Sequence, residues 1–481
     1  MAQPGSAPVL GTGGRKFESC LPDHTSIDCK EPDLTAGPAP IPSQARLDTR
    51  AIWAIALPAM VTNVATALIG IGDMWIVGQL GDAPTQGAVD VGARLFAVLF
   101  TVMNFLKTGT TGLVAQAGTR SGAQAQAMVL LRGLLVGLSI ALLLLLVKPF
   151  VLPLALDALG ATGSVREAAN VYADIRYWSA PAVMANFAAI GFLIGQRRMK
   201  TVLVVEVLYN LLNVGLGLWF VLGLDWGIAG IGWSSFIAEF AKLALLAAIL
   251  LGSATGRSLI ESARSGGIAS LSALKPFLAV NRDLFLRTLV LVIAMAGLTR
   301  LSAERGAVVL AANGILYQLF VFTALLLDGF ENAAQVLNGE RAGAHDRKGF
   351  AFYIRAILWR GMAAAALLAG AFALLADPIL ASFAATEAVR IQAQSLAPWL
   401  IVIPFAGLAG FVLDGIFVGA SWTRALLLTM VGAGLVYALA LWLSWPLGSH
   451  GLWLSFSLFL LARAAFQLAL LPRLIKREFT R

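Results

Sequence analysis

ALLLTMVGAGLVYALALWL, residues 425–443, contains no charged side chain, and its length shows which solvent the chain folds in. A helix rises 1.5 Å per residue, so this stretch reaches roughly 28 Å, close to the hydrocarbon thickness of a bilayer. Comparable apolar stretches recur along the whole sequence, more of them than a water-soluble core can hold. The 481 residues are 59% hydrophobic and 13% charged, with a mean hydropathy of +0.82, whereas a soluble domain is about a quarter charged. The formal charge of +9 raises the question of nucleic acid. The basic residues, however, lie in short loops between apolar runs, which is the pattern that sets membrane orientation. The expected partner is therefore the lipid bilayer, and no nucleic acid.

Working outward from 425–443, apolar runs bounded by Gly, Pro or charge predict spans at 52–79, 87–118, 124–147, 166–195, 201–222, 228–251, 283–303, 307–339, 350–376, 388–418, 425–446 and 451–471. The loops alternate in charge. One side carries Arg120, then Arg197, Arg198 and Lys200, then Arg257, Arg264 and Lys275, then Arg341, Arg347 and Lys348, then Arg424. On the other side, Gln79–Val89, Gly223–Gly227 and Leu447–Gly451 contain no Lys or Arg. The positive-inside rule then places both termini in the cytoplasm of a cell (inner) membrane protein. Residues 1–47 are rich in Pro, Gly and Ser and lack the apolar core of a signal peptide, so a disordered cytoplasmic tail is expected there. It contains the only two cysteines, Cys20 and Cys29, which match no metal or disulfide pattern.

The longest internal polar segment, 253–282, is expected to be a cytoplasmic linker between a six-helix lobe at 48–252 and a second at 283–472, with a short tail at 473–481. Gly118, Arg120, Gly122 and Ala123 recur as Gly339, Arg341, Gly343 and Ala344 at one constant offset. Gly191 and Gly195 are echoed by Gly415 and Gly419, and Pro181 by Pro404 within a residue. Duplication of a unit with an even number of spans gives two copies inserted with the same orientation. The expected fold is all-α integral membrane, with about 12 transmembrane helices in two six-helix bundles related by pseudo-two-fold symmetry along the membrane normal.

A charge at membrane depth costs about 3 kcal/mol, so each intramembrane carboxylate is a functional candidate. Asp73 comes first. Gly70, Thr66 and Thr62 share its helix face at a spacing of three to four residues, and a carboxyl desolvated there can exchange a proton near neutral pH. Its structural alternative is a satisfied carboxylate near a helix end. Glu206, Asn210, Asn213 and Gly217 form a second polar face. The two asparagines fit a polar cavity and helix–helix hydrogen bonding equally well. In the second half, Asp328, Glu331, Asn332 and Gln335 line one face of the eighth span, and Asp414 lies near the inner end of the tenth. These fit a cation or substrate site, or an inner gate paired with Lys107 or Arg300. Glu239 and Lys242, three apart, are expected to compensate each other, and Arg463 demands a partner that spacing does not name.

Catalytic constellations are missing. Gly11, Gly13 and Gly14 follow no strand, Gly252–Ser258 lacks the Gly-Lys-Ser/Thr of a phosphate loop, and His24, His345 and His450 all fall outside the spans. No enzyme activity, metal or cofactor is expected.

Several stretches resemble the multidrug and toxic compound extrusion (MATE) family, in particular its DinF-like branch. They are Ala56-Leu57-Pro58 followed by Asp73 and Gly78-Gln79-Leu80-Gly81, the segment Lys107–Ala117, Leu327-Asp328-Gly329-Phe330-Glu331-Asn332-Ala333-Ala334, and Asp414–Ala420. The resemblance implies a two-lobed exporter that exchanges an organic, often cationic or amphipathic compound for protons or sodium. In it Asp73 is the coupling acid and Pro58 the residue that lets the first helix bend. Many relatives pair an asparagine with an aspartate four residues on in the fifth span, where this chain has Asn213 and Gly217. A second carboxylate is thus missing, so proton coupling through Asp73 is expected, with sodium as the alternative. The expected partners are a small organic substrate and lipid, with the chain a monomer. A lipid-linked saccharide flippase on a related scaffold is the rival reading, which Lys107 and Arg300 favour and the acidic and amide-bearing stripes oppose. An intramembrane enzyme is a weaker rival.

Overall fold

The computed structural model describes residues 47–78 and 83–480, apart from the side chains of 68–74, 77–78, 83–84 and 273. The tail with Cys20, Cys29, His24 and its glycine cluster, and the Gln79–Gly81 part of the first motif, lie outside the described residues, as does the side chain of Asp73. Residues Leu47–Arg481 form one compact unit. It is built from α1 (Arg50–Gly78), α2 (Ala83–Met103), α3 (Phe105–Ala158), α4 (Gly163–Tyr177), α5 (Ala180–Gly195), α6 (Met199–Leu218), α7 (Gly227–Leu251), α8 (Ala254–Arg264), α9 (Leu271–Ala303), α10 (Ala307–Gly343), α11 (Arg347–Phe383), α12 (Glu387–Ser395), α13 (Pro398–Gly419), α14 (Thr423–Ser444) and α15 (Gly448–Phe479).

The chain makes twelve crossings among the described residues. Nine segments are long and apolar enough to span a bilayer, and the bent α4–α5 pair makes a tenth. Two of these double back, adding two more. The segment Thr85–Ala158 reverses at Gly122, whose φ of 78° is open to glycine at little cost. Across that turn Gln126 Nε2 donates to the carbonyl of Val114. The segment Thr423–Phe479 reverses between α14 and α15, where Tyr437 meets Phe459 and Ser444 meets Ser455. Large apolar side chains point outward, Phe150 at 79%, Trp359 at 77% and Leu374 at 82% exposure, the pattern of a surface solvated by hydrocarbon.

Three predicted spans are broken. The second divides at Asn104 into α2 and α3. The fourth bends by 52° between α4 and α5, just before Pro181, and the tenth divides into α12 and α13 just before Pro398. A proline supplies no N–H and crowds the preceding turn, which is why the last two breaks fall where they do. Within the expected linker 253–282, α8 and the first turns of α9 are helical.

Glycines set the packing, and they do so twice. A Cβ at Gly191 would lie 2.5 Å from the carbonyl oxygen of Lys107, and one at Gly195 2.8 Å from that of Thr111. In the other half the same hypothetical atoms at Gly415 and Gly419 would lie 2.3 Å from the carbonyls of Glu331 and Gln335. Each half therefore brings two helices together at the same step, with backbones too close for any side chain.

The apolar core has three parts. One holds buried residues of both halves, among them Ile55, Leu106, Leu193, Phe330, Ile357 and Leu413. It lies toward the end of the bundle that carries the basic loops. Toward the opposite end the first half has its own core around Phe96, Tyr172 and Ile231, and the second half another around Phe320, Trp453 and Phe456. The two halves are thus packed on each other at the basic end and packed separately at the other.

Candidate functional site

In the first half, Pro58 interrupts the hydrogen bonding of α1, and Thr62 Oγ1 donates to the Pro58 carbonyl at 2.8 Å. Thr66 Oγ1 donates to the Thr62 carbonyl at 2.9 Å. Both hydroxyl protons are therefore spent on their own helix, with Thr62 buried and Thr66 exposed. On α6, Asn213 is buried and its Nδ2 donates to Ser235 Oγ of α7 at 3.2 Å. The Oδ1 atoms of Asn210 and Asn213 are buried without a hydrogen-bond donor among the described residues. Helix α1 reaches α6 where a Cβ at Gly217 would lie 3.1 Å from Ile76 Cδ1. An aspartate at 217 would have to displace that isoleucine. Asp73 lies on α1 one turn before Ile76.

Glu206 faces the next helix rather than joining its asparagines. Lys242 Nζ of α7 bridges Glu206 Oε1 at 2.7 Å, both side chains being under a tenth exposed, and the ammonium sits 4.4 Å from the centroid of the Tyr209 ring. Glu239 accepts from Tyr209 Oη at 2.8 Å and from Asn186 Nδ2 at 2.9 Å. The Glu239–Lys242 pair expected from spacing gives way to this arrangement, because the α6–α7 contact offers Lys242 a carboxylate with better geometry.

The second half contains a denser cluster. Asp414 of α13 is fully buried and is ion-paired to Arg463 of α15 and to Arg287 of α9. Arg463 Nε donates to its Oδ1 at 3.0 Å, and Gln467 Nε2 donates to the same atom at 2.6 Å. The guanidinium of Arg463 also lies 5.2 Å from the Phe411 ring. Asp414 is therefore occupied by its own neighbours and not open to a ligand. Its partners are Arg463 and Arg287 rather than Lys107 or Arg300. Arg300 is exposed and lies 3.5 Å from Glu304. Arg287 is absent from the sequence-based candidates, although a charge four residues inside the expected seventh span is the signal that marks Arg463.

Asp328 and Glu331 are half-buried and lie one turn apart on α10. Asn332 Nδ2 is turned back to the Asp328 carbonyl at 2.9 Å, and Gln335 Nε2 crosses to the Thr108 carbonyl of the first half at 2.5 Å. Lys107 precedes Gly122 by 15 residues, and Asp328 precedes Gly343 by the same number. At 1.5 Å per residue both stand about 22 Å above the basic end, well inside the bilayer.

At the basic end itself the halves are tied by polar contacts. Gln116 Nε2 donates to the Gly419 carbonyl at 2.6 Å and to Ser421 Oγ at 2.9 Å, and Thr119 Oγ1 donates to the Glu340 carbonyl at 2.9 Å. Arg197 forms a two-point ion pair with Glu340, its Nε lying 2.5 Å from Oε1. Burial opposes the charge of Arg197, but the Glu340 carboxylate more than offsets it and holds the guanidinium above its ordinary pKa. Beside this pair, Gly118, Gln126 and Gln196 line a polar cavity of about 300 Å³.

Twelve crossings in two halves with one shared packing step agree with the comparisons to known proteins. The MatE family model matches twice, over residues 58–219 and 284–442. The chain belongs to the MATE family. It is 32% identical to the DNA damage-inducible protein F of Escherichia coli K12 over 86% of its own length and 90% of that protein. It is 25% identical to the probable multidrug resistance protein NorM of Chromobacterium violaceum over 84% and 90% of the two chains. Among solved structures, an outward-facing multidrug resistance MATE family transporter of the MOP superfamily aligns with a TM-score of 0.78 at 18% identity, covering 90% of this chain and 97% of that one. This MATE chain is thus a multi-pass membrane transporter and not an enzyme.

Proposed function

We propose that this MATE transporter exports organic, often cationic or amphipathic compounds by alternating access, exchanging them for protons through Asp73. The observation that carries the reading is the division of the core, shared at the basic end and separate at the other. Two bodies joined at one end can exchange a shared packing surface at that end for one at the other. With the basic end taken as cytoplasmic by its Lys and Arg loops, this arrangement corresponds to a state open to the outside of the inner membrane. The amide oxygens of Asn210 and Asn213, which have no donor among the described residues, support a proton-exchanging acid on α1, because a protonated carboxyl can donate where a carboxylate cannot. The tight packing of Gly217 on Ile76 supports a single acid there, which favours a proton over sodium. Protonation of Asp73 from outside would neutralise the first half's cavity, release the compound and allow the halves to rock. Coupling requires the two states to differ in affinity for both ligands.

In proteoliposomes, wild-type protein is expected to move a fluorescent organic cation against its gradient only when a pH gradient is imposed. Asp73→Asn is expected to elute as a folded monodisperse protein and to lose that dependence. Undiminished pH-driven transport by the variant, or transport driven equally by a sodium gradient alone, would refute the proposal.

A further inference from the structure

Where α14 turns into α15, away from the basic loops, the two helices leave a groove between them. Leu439, Leu443 and Leu447 form one wall and Leu454 and Leu458 the other, around a volume of about 360 Å³. A spacing of four residues keeps each row on a single helix face. Ala440 and Ser444 are the buried floor. Ser444 is the one hydroxyl in the lining, and its Oγ is turned to the Ala440 carbonyl at 2.7 Å and to Ser455 Oγ at 2.8 Å. The groove is therefore apolar throughout. Its leucines 439, 443 and 447 and the neighbouring Trp442 are exposed, as on the rest of the hydrocarbon-facing surface. From Val436 to Leu447 it follows the chain for roughly 17 Å at 1.5 Å per residue.

A cation stands at the end of this groove. Arg305, in the turn between α9 and α10, donates from Nη2 to the Trp445 carbonyl at 3.0 Å, and its guanidinium lies 4.2 Å from the centroid of the Trp445 ring. Trp445 is two residues from Leu447, the last lining residue of α14 and its turn. Nη1 of Arg305 lies on the side of Gly448, whose φ of 64° suits glycine and whose missing Cβ would stand 3.7 Å away. Other arginines at this end of the bundle carry their own counter-charges: Arg94 pairs with Asp90, Arg166 with Asp157, Arg300 with Glu304 and Arg390 with Glu387. Among the described residues Arg305 has no carboxylate within 4.0 Å. Trp442 and Trp445 place it at the polar interface of the bilayer, the depth where such rings collect.

We infer that this groove is a binding site for an anionic glycerophospholipid, with an acyl chain laid between α14 and α15 and the phosphodiester held by Arg305. The leucine rows supply a surface for the chain, and a guanidinium is well matched to phosphate oxygens. A headgroup of net negative charge leaves the phosphate to Arg305, whereas a choline headgroup carries its own cation beside it. A second copy of the chain, packed face to face on α14 and α15, would cover the leucines but leave the arginine unanswered, because residues 425–472 contain no Asp or Glu. With the basic end taken as cytoplasmic, the lipid belongs to the outer leaflet. Every residue of the site lies in the second half, so the lipid travels with that half, and the inference stands apart from the coupling scheme.

Photo-crosslinking in phosphatidylcholine liposomes tests it on the full-length protein. Trace phosphatidylglycerol with a diazirine on one acyl chain is irradiated in place, and the labelled peptides are located by mass spectrometry. Labelling is expected to concentrate on residues 436–458, well above the equally exposed face of α11 at Trp359, Leu367 and Leu374. Arg305→Gln is expected to lower labelling of 436–458 about tenfold, the scale of one charge-assisted hydrogen bond, and to leave α11 unchanged. Arg305→Lys, which keeps the charge, is expected to retain most of it. The same diazirine chain on phosphatidylcholine is expected to label the groove of the wild type no more than α11. The inference is overturned if phosphatidylglycerol labels the two faces of the wild type evenly, if the choline probe labels the groove equally well, or if Arg305→Gln leaves the groove labelling intact. The comparison of the two headgroups uses the wild type alone, so it decides the matter even if a variant fails to fold.

Discussion

Asp414 illustrates what a single residue contributes at membrane depth. Its carboxylate holds two buried guanidiniums and an amide in one arrangement across α9, α13 and α15. Removing one member of such a cluster leaves charge buried and uncompensated, which typically costs about 3–5 kcal/mol. Asp414→Ala is therefore expected to lower thermal stability in detergent strongly, and Asp414→Asn nearly as much. A melting temperature within a degree or two of wild type would contradict the assignment. The presence of each of these charges could be read in the sequence because a charge inside an apolar run is conspicuous. Their partners could not, because Arg463 and Asp414 lie 49 residues apart and meet only through the packing of α13 on α15. For the same reason Lys242 turned to Glu206 instead of its helical neighbour Glu239. Spacing along one helix describes i to i+4 contacts and nothing beyond them.

Elements were easier to read. A bilayer imposes one length on every span, so apolar runs locate helices with little help from tertiary structure. What periodicity concealed were the interruptions, where a backbone bends inside an apolar run. Pro181 and Pro398 mark two of them by their chemistry, whereas Asn104 gives no comparable signal. The repeated glycines were visible as a pattern, and the structure supplies their physical role. A Cβ at Gly415 would lie 2.3 Å from a main-chain carbonyl of α10, and a backbone atom cannot rotate away. Gly415→Val is expected to drive α13 from α10 and prevent recovery of monodisperse protein, and Gly191→Val to do the same between α5 and α3. By contrast, Gly297→Ala, where no atom lies within 4 Å, is expected to leave yield and melting unchanged. Equal yields for all three variants would mean that the crossing is not set by glycine.

At the scale of the molecule, the duplication and the basic loops were legible, but the division of the core into a shared part and two separate parts was not. That division depends on which faces of twelve helices meet, information that composition does not contain. It also carries the central claim, that two bodies joined at one end exchange that joint for the other when Asp73 is protonated. The most direct test measures the separation of the halves at the end opposite the basic loops. Spin labels at Thr162→Cys and Ala385→Cys, both exposed there, in a Cys20→Ser and Cys29→Ser background, report that distance by pulsed electron paramagnetic resonance. The account predicts a long separation at pH 8, a growing shorter population toward pH 5, and the short population at both pH values once Asp73→Asn mimics the protonated acid. One unchanging distance distribution, indifferent to pH and to the state of residue 73, would contradict it.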